Sequence, residues 1–167
     1  PEIPILPKSD VLAFSIDDIS TTEIDDAFSV KFIDENLVQV GIHIAAPALV
    51  IKRGDTLDKI ARKRISSIYL PDKKITMFPE NFVNKFTLSE GDYHPSISLY
   101  VNLNRCDFSV ISKKTIIEQV FVKSNLWLKD LDNYFTSDSD ECNLYNAPFK
   151  DQIFLIWKWV EILEAKR

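Results

Sequence analysis

Apolar residues recur along this chain mostly at period two and in short runs. Val11–Ile16 is an apolar run of strand length that ends at Asp17. Phe28, Val30 and Phe32 alternate with Ala27, Ser29 and Lys31, a strand pattern with one face inward. Asp34-Glu35-Asn36 supplies a turn, and Leu37, Val40, Ile42 and Ile44 continue as a second, largely buried strand of a hairpin. Ala45–Val50 leaves the hairpin through a short helical turn. Asp55 or Thr56 then caps a helix carrying Leu57, Ile60, Ala61, Arg64 and Ile65 at spacings of three and four. Lys74–Phe78 predicts a short strand, and Pro79-Glu80-Asn81 a helical turn begun by proline. Ser96–Leu103, Phe108–Ser112 and Thr115–Lys123 predict a meander, with turns at Asn104-Arg105 and Ser112-Lys113. Helical spacing follows over Leu126–Phe135, then a polar loop over Thr136–Asn146. A last helix, Pro148–Arg167, puts Ile153, Ile156, Trp157, Val160 and Leu163 on a core-facing stripe. The fold class expected is α+β, a mixed or antiparallel sheet with flanking helices. It forms one domain from residue 11 onward, behind an extended lead-in of residues 1–10 punctuated by Pro1, Pro4 and Pro7.

Between the first strand and the hairpin lies Asp17-Asp18-Ile19-Ser20-Thr21-Thr22-Glu23-Ile24-Asp25-Asp26, five carboxylates in ten residues. Ser20-Thr21-Thr22-Glu23 also matches a helix capping box. The period-two pattern from Ala27 onward argues against a helix there, which leaves a loop held between strands. Carboxylates packed this closely resist ionising together, and a divalent cation removes the penalty. Oxygen donors suit Mg²⁺, Mn²⁺ or Ca²⁺ rather than zinc. A calcium-binding EF-hand loop requires acidic or amide ligands at alternate positions and glycine at the sixth; counted from Asp17, the third residue is Ile19 and the sixth Thr22. A glycosidase needs two separated carboxyls rather than a cluster. A Mg²⁺ phosphoryl-transfer site, with Mn²⁺ as the alternative ion, fits best.

Composition narrows the partners. The 167 residues are 46% hydrophobic and 27% charged, enough for a globular core. Cys106, Cys142, His43 and His94 form no zinc-ligand spacing, and two isolated thiols point to a reducing compartment. A cytoplasmic location is expected, with an organelle as the alternative. The first residues lack the basic and apolar regions of a signal peptide, and no apolar stretch is long enough to span a bilayer, so no membrane partner is expected. The net charge of −5 is not that of a general nucleic-acid binder, but the local distribution is uneven. From Lys52 to Lys74, eight Lys or Arg face three Asp, a local +5 directly after the acidic hairpin. Such a run is commonly a solvated helix face. Beside a phosphate-seeking metal site, Arg62, Lys63 and Arg64 also read as a guide for a phosphate backbone, and Tyr69 as a surface on which an unpaired base stacks. His94, in a loop before Pro95, reads as incidental, and His43 as a polar residue near a strand end.

Ser15-Ile16-Asp17 followed by Ser20-Thr21-Thr22-Glu23-Ile24-Asp25-Asp26-Ala27 resembles the catalytic signature of the ribonuclease II (RNB) exoribonuclease family. The resemblance runs on through Ile42-His43-Ile44-Ala45, Arg64–Ser67, Tyr69-Leu70-Pro71-Asp72 and Met77-Phe78-Pro79-Glu80, in the family's order. It implies a 3′→5′ exoribonuclease that hydrolyses single-stranded RNA to nucleoside 5′-monophosphates. No obligate protein partner is evident in the sequence. It implies further that Asp17, Glu23, Asp25 and Asp26 are the catalytic and metal-binding acids. Asp17 and Asp26 would be direct Mg²⁺ ligands, Glu23 their support and Asp25 the acid on which chemistry depends. Tyr69 would clamp the terminal nucleotide. Two positions depart from the pattern: Glu23 stands where the family usually has Asp, and Ala46 where many members have Asp. The chain is expected to be the N-terminal half of an RNB catalytic domain, lacking the rest of that domain and the flanking OB-folds. By itself such a half should bind Mg²⁺ weakly and degrade RNA poorly or not at all. The alternative is an inactive RNA-binding or regulatory relative of the same fold. A cation-stabilised β module unrelated to RNA is a more distant third.

Overall fold

A computed structural model describes residues 2–70, 72–131 and 148–167. Five strands close into a barrel: β1 (Lys8–Asp17), β2 (Asp26–Phe32), β3 (Leu37–Ala45), β6 (Tyr93–Asn104) and β7 (Val110–Trp127). Between β3 and β6 the chain makes a 3₁₀ turn (Pro47–Val50), helix α1 (Thr56–Arg64), a two-stranded ribbon of β4 (Ile68–Tyr69) and β5 (Lys74–Ile75), and the short helix α2 (Glu80–Val83). The last helix, α3, is Lys150–Ala165. Neighbouring strands pair antiparallel except at the closure, where β1 lies parallel to β7. The expected mixed sheet with flanking helices is therefore observed, and β1 closes it into a barrel along Gln119–Trp127 of β7.

Alternation along the strands decides what fills the barrel. Inward positions carry small residues (Ala13, Ser15, Ala27, Ser29, Ser96 and Ser98), all almost wholly buried, with Val120 and Val122 completing the interior. Five strands enclose little space, so large side chains belong outside. Phe14, Val38, Val40, Val101 and Leu103 accordingly pack on the outer face, where α3 covers them through Ile153, Leu155 and Trp159. A third cluster under the 3₁₀ turn joins Val50, Phe82 and Phe86.

His43 joins the buried serines in the barrel interior, deeper than a strand-end position. It is fully buried, with Nδ1 2.9 Å from Ser98 Oγ and Nε2 2.8 Å from Ser29 Oγ. Gly41 makes the room for that ring. A Cβ there would lie 2.3 Å from Ser29 Oγ and 2.7 Å from His43 Nε2.

Four sequence expectations change. β7 is one continuous 18-residue strand, so no turn forms at Ser112-Lys113; both residues pair with β6, at Asn102 and Val101. Ladder pairing to a long partner strand outweighs the weak turn signal of a Ser-Lys pair. Strand β7 also runs to Trp127, so the helix expected from Leu126 starts later, at Leu128; beyond Leu131 that helix and the polar loop Thr136–Asn146 lie outside the described residues until 148. Ile44, expected to be buried, is 45% exposed, because it borders the open cavity beside the acidic loop. On α3 the buried face is Ile153, Leu155 and Trp159, while Trp157, Val160 and Leu163 are about half exposed. That helix is apolar on more than one face, and spacing cannot say which stripe meets the barrel. Among the described residues no helix is long and apolar enough to cross a membrane.

Candidate active site

Asp17 is the last residue of β1 and Asp26 the first of β2, so two of the acids are fixed by the barrel itself. The loop between them is no helix. Ser20 donates through its backbone N–H and its hydroxyl to Asp18 Oδ1, at 2.9 and 2.6 Å, so the would-be capping serine is used in an Asx turn. These bonds hold the exposed Asp18 carboxyl below the usual carboxylate range, with the Ser20 side chain the largest cause. Ile24 anchors the loop: its side chain enters the barrel cluster, and its carbonyl accepts from Leu88 N–H at 2.9 Å. Asp25 is held from the other side, its carbonyl accepting from Ala45 N–H at 2.8 Å. With Ile24 turned inward, Glu23 and Asp25 flank it and line a cavity of about 320 Å³ whose apolar walls include Met77, Phe78, Phe82 and Phe86.

The electrostatics of this loop are those of crowded like charges. The Asp25 carboxyl is pushed above the ordinary range, first by desolvation and then by Glu23 and Asp26, with Lys74 opposing and Asp17 adding. Desolvation followed by the Asp17 charge pushes Asp26 up as well. Both side chains still reach solvent at one edge. Asp17 Oδ2 and Glu23 Oε1, by contrast, are buried oxygens with no hydrogen-bond partner. Such atoms are costly unless something cationic or protic meets them. The donor set is all carboxylate oxygen, and two of its atoms are unsatisfied, so it fits a hard divalent cation better than a soft one. Among the described residues, no three acidic, His or Cys side chains yet converge as a metal-ligating group.

The ribbon β4–β5 forms the adjoining wall. Tyr69 and Lys74 are a cross-strand pair, and the Tyr69 ring is 71% exposed. Arg64 Nη1 donates to the Thr76 carbonyl at 2.8 Å, tying α1 to the segment after β5. Arg62 pairs with Asp58 one turn earlier at 2.9 Å, while Lys63 is exposed. Asp55 is the cap of α1, its side chain accepting from Asp58 N–H at 2.8 Å. Of the basic residues expected to guide a phosphate backbone, two are thus engaged within the protein and one faces solvent.

In the sequence Lys74 reads only as one charge in the basic run. The structure places its ammonium 3.1 Å from Glu23 Oε2, 3.2 Å from Thr22 Oγ1 and 4.9 Å from the Tyr69 ring centroid. Four residues separate Tyr69 from Lys74, a spacing that sets them opposite each other in a tight hairpin; that was the available signal.

Comparison with protein-family profiles matches the RNB domain over residues 8–145. The chain belongs to the RNB family. A ribonuclease R of Thermotoga maritima is 31% identical over 160 residues, which is 95% of this chain and 22% of that protein. Among solved structures, the ribonuclease R of Mycoplasma genitalium in complex with ribose-methylated single-stranded RNA superposes with a TM-score of 0.81 at 17% identity, covering 96% of this chain and 25% of the other. Yeast Ssd1, described as a pseudonuclease, superposes with a TM-score of 0.71 at 20% identity, over 81% of this chain and 17% of the other. These two structures speak for the RNB fold alone. The chain spans no more than about a quarter of the length of these relatives. It is homologous to exoribonucleases of the ribonuclease II and ribonuclease R kind.

Proposed function

We propose that this RNB domain belongs to a Mg²⁺-dependent 3′→5′ exoribonuclease that hydrolyses single-stranded RNA to nucleoside 5′-monophosphates. The observation that carries the reading is the loop between β1 and β2, where the charges of Glu23, Asp26 and Asp17 add to desolvation in raising the Asp25 carboxyl, while Asp17 Oδ2 and Glu23 Oε1 are buried without a hydrogen-bond partner. Asp17 and Asp26 sit on rigid strand ends and are the direct ligands in this reading, with Mn²⁺ able to replace Mg²⁺. When bound, the divalent cation neutralises the phosphate and stabilises charge on the oxygens entering and leaving phosphorus.

The chain's own residues supply the rest. Asp25, whose carboxyl is raised by desolvation and then by Glu23 and Asp26, is suited to accept the proton of the attacking water at a carboxylate oxygen. Tyr69, exposed on the ribbon, offers a ring for stacking the terminal base. Lys63 faces solvent, and Arg62 and Arg64 flank it on the same helix, where they add positive charge along the path of the backbone. A 5′-labelled single-stranded RNA incubated with the intact protein and Mg²⁺ should be shortened to a small limit oligonucleotide. Asp25→Asn should bind that RNA and leave it full length. Equal shortening by wild type and Asp25→Asn removes Asp25 from the chemistry. Tyr69→Ala should lengthen the limit product by one or more nucleotides; an unchanged product reduces Tyr69 to a surface residue.

The likeness to a pseudonuclease supports a second reading, an RNA-binding relative without hydrolysis. Retention of four mutually repelling acids favours the enzyme, since a binding module gains nothing from holding them together. The same labelled-RNA assay separates the two.

A further inference from the structure

Lys74 lies where a cation would be wanted, and it comes from another part of the chain. Its side chain is 21% exposed and that of Glu23 11%, so the pair is largely withdrawn from water. The ammonium has three partners: the Glu23 carboxylate at 3.1 Å, the Thr22 hydroxyl at 3.2 Å and the face of Tyr69 at 4.9 Å. Three contacts on a lysine whose backbone is fixed in a ribbon make a built position rather than a passing surface pair. The other Glu23 oxygen, Oε1, is buried without a partner. One carboxylate of the acid loop is therefore turned toward the ribbon by Lys74. Resting on the reading given above, we propose that Lys74 is the resident counter-ion of the acid loop: it stabilises the loop when no divalent cation is bound, and it competes with that cation for Glu23.

A glutamate is one methylene longer than an aspartate, enough for Glu23 to meet the Lys74 ammonium on the ribbon. A positive charge a few ångströms from a cation site weakens that site by about tenfold or more, even at the high effective dielectric of a protein surface. Lys74 is thus a positioning residue: it acts through Glu23 and the loop, and it costs metal affinity in return for order. For Glu23 to serve as a ligand to a divalent cation, the Lys74 ammonium would have to give it up.

The test is Mg²⁺ titration calorimetry on the intact protein, without RNA, alongside thermal melting in EDTA. Lys74→Met should tighten Mg²⁺ binding by about tenfold and lower the melting temperature in EDTA. Lys74→Gln keeps a hydrogen-bond donor for Thr22 and Glu23 but has no charge, so it should tighten Mg²⁺ equally and lose less stability. It serves as the reporter if the methionine variant does not fold. Lys73→Met removes the same charge from the exposed neighbouring residue and should leave Mg²⁺ affinity within about twofold of wild type. If Lys74→Met and Lys74→Gln bind Mg²⁺ no more tightly than wild type, the counter-ion role is overturned while the exoribonuclease reading stands on its RNA assay. If no variant binds Mg²⁺ and RNA is still degraded, both the metal assignment and the counter-ion role fall.

Discussion

Gly41 and His43 show how tightly single residues are constrained in a five-stranded barrel. The His43 ring folds back over Gly41 to reach Ser29 on the neighbouring strand, and the space it uses is the space a Cβ would take. Gly41→Ala should therefore cost about 1–3 kcal/mol in urea unfolding, an overpacking penalty rather than a backbone one. Burial pushes the His43 imidazole down to about 4 from its ordinary 6.5, so the folded protein holds it neutral. The sign follows directly: between pH 6.5 and about 4 the unfolded chain binds the proton and the folded chain does not, so stability is lost as pH falls through that window. The loss attributable to this one group is about 3 kcal/mol. Urea midpoints from pH 7 to pH 4 should fall steeply for wild type and less steeply for His43→Gln, whose side chain does not titrate.

At the scale of elements, the acid loop is a strand–loop–strand device. β1 delivers Asp17, β2 begins at Asp26, and Ile24 pins the span between them into the barrel. Helix α3 holds that barrel from outside, and Phe14 is the joint: it is fully buried and stacks on Phe149 at 4.6 Å between ring centroids. Phe14→Ala should cost about 3–5 kcal/mol, read as a shift in urea midpoint, because the cavity lies where β1 meets the helix and neither can collapse to fill it. Strand β7 makes a separate prediction. Since Ser112 and Lys113 pair with β6, hydrogen exchange across Val110–Glu118 should show the alternating protection of a strand, without the fast-exchanging pair that a turn would give.

Over the whole molecule, crowding of the acids sets a second pH dependence opposed to that of His43. Asp25 and Asp26 are raised in the folded protein, so the folded state binds their protons more tightly than the unfolded chain does. Their contribution to stability is greatest below the ordinary carboxylate value of 3.8 and declines as pH rises through their shifted range. In EDTA at neutral pH, Asp25→Asn should consequently melt at a temperature equal to or slightly above wild type, by about 2 °C or less, even as it abolishes RNA shortening. A clear destabilisation would mean that Asp25 holds the loop together rather than charging it. Stability and activity are thus expected to move in opposite directions at one residue, as is common where like charges are gathered for chemistry.

The local pattern of the chain was enough to read most of the strands, the loop status of residues 18–25 and the acids in it. Period-two burial is written in consecutive side chains, and an ordered series of motifs carried the family. What local pattern could not hold was anything decided by a partner distant in sequence. The closure of β1 on β7 rests on residues some 110 positions apart, as between Ser15 and Asn125. The unbroken β7 depends on its partner β6, and the buried stripe of α3 on which face of that helix meets the barrel. Lys74 is the sharpest instance. In sequence it is one lysine among eight basic residues, and only the fold of the ribbon onto the acid loop, 52 residues away at Thr22, turns it into a cation seated among carboxylates.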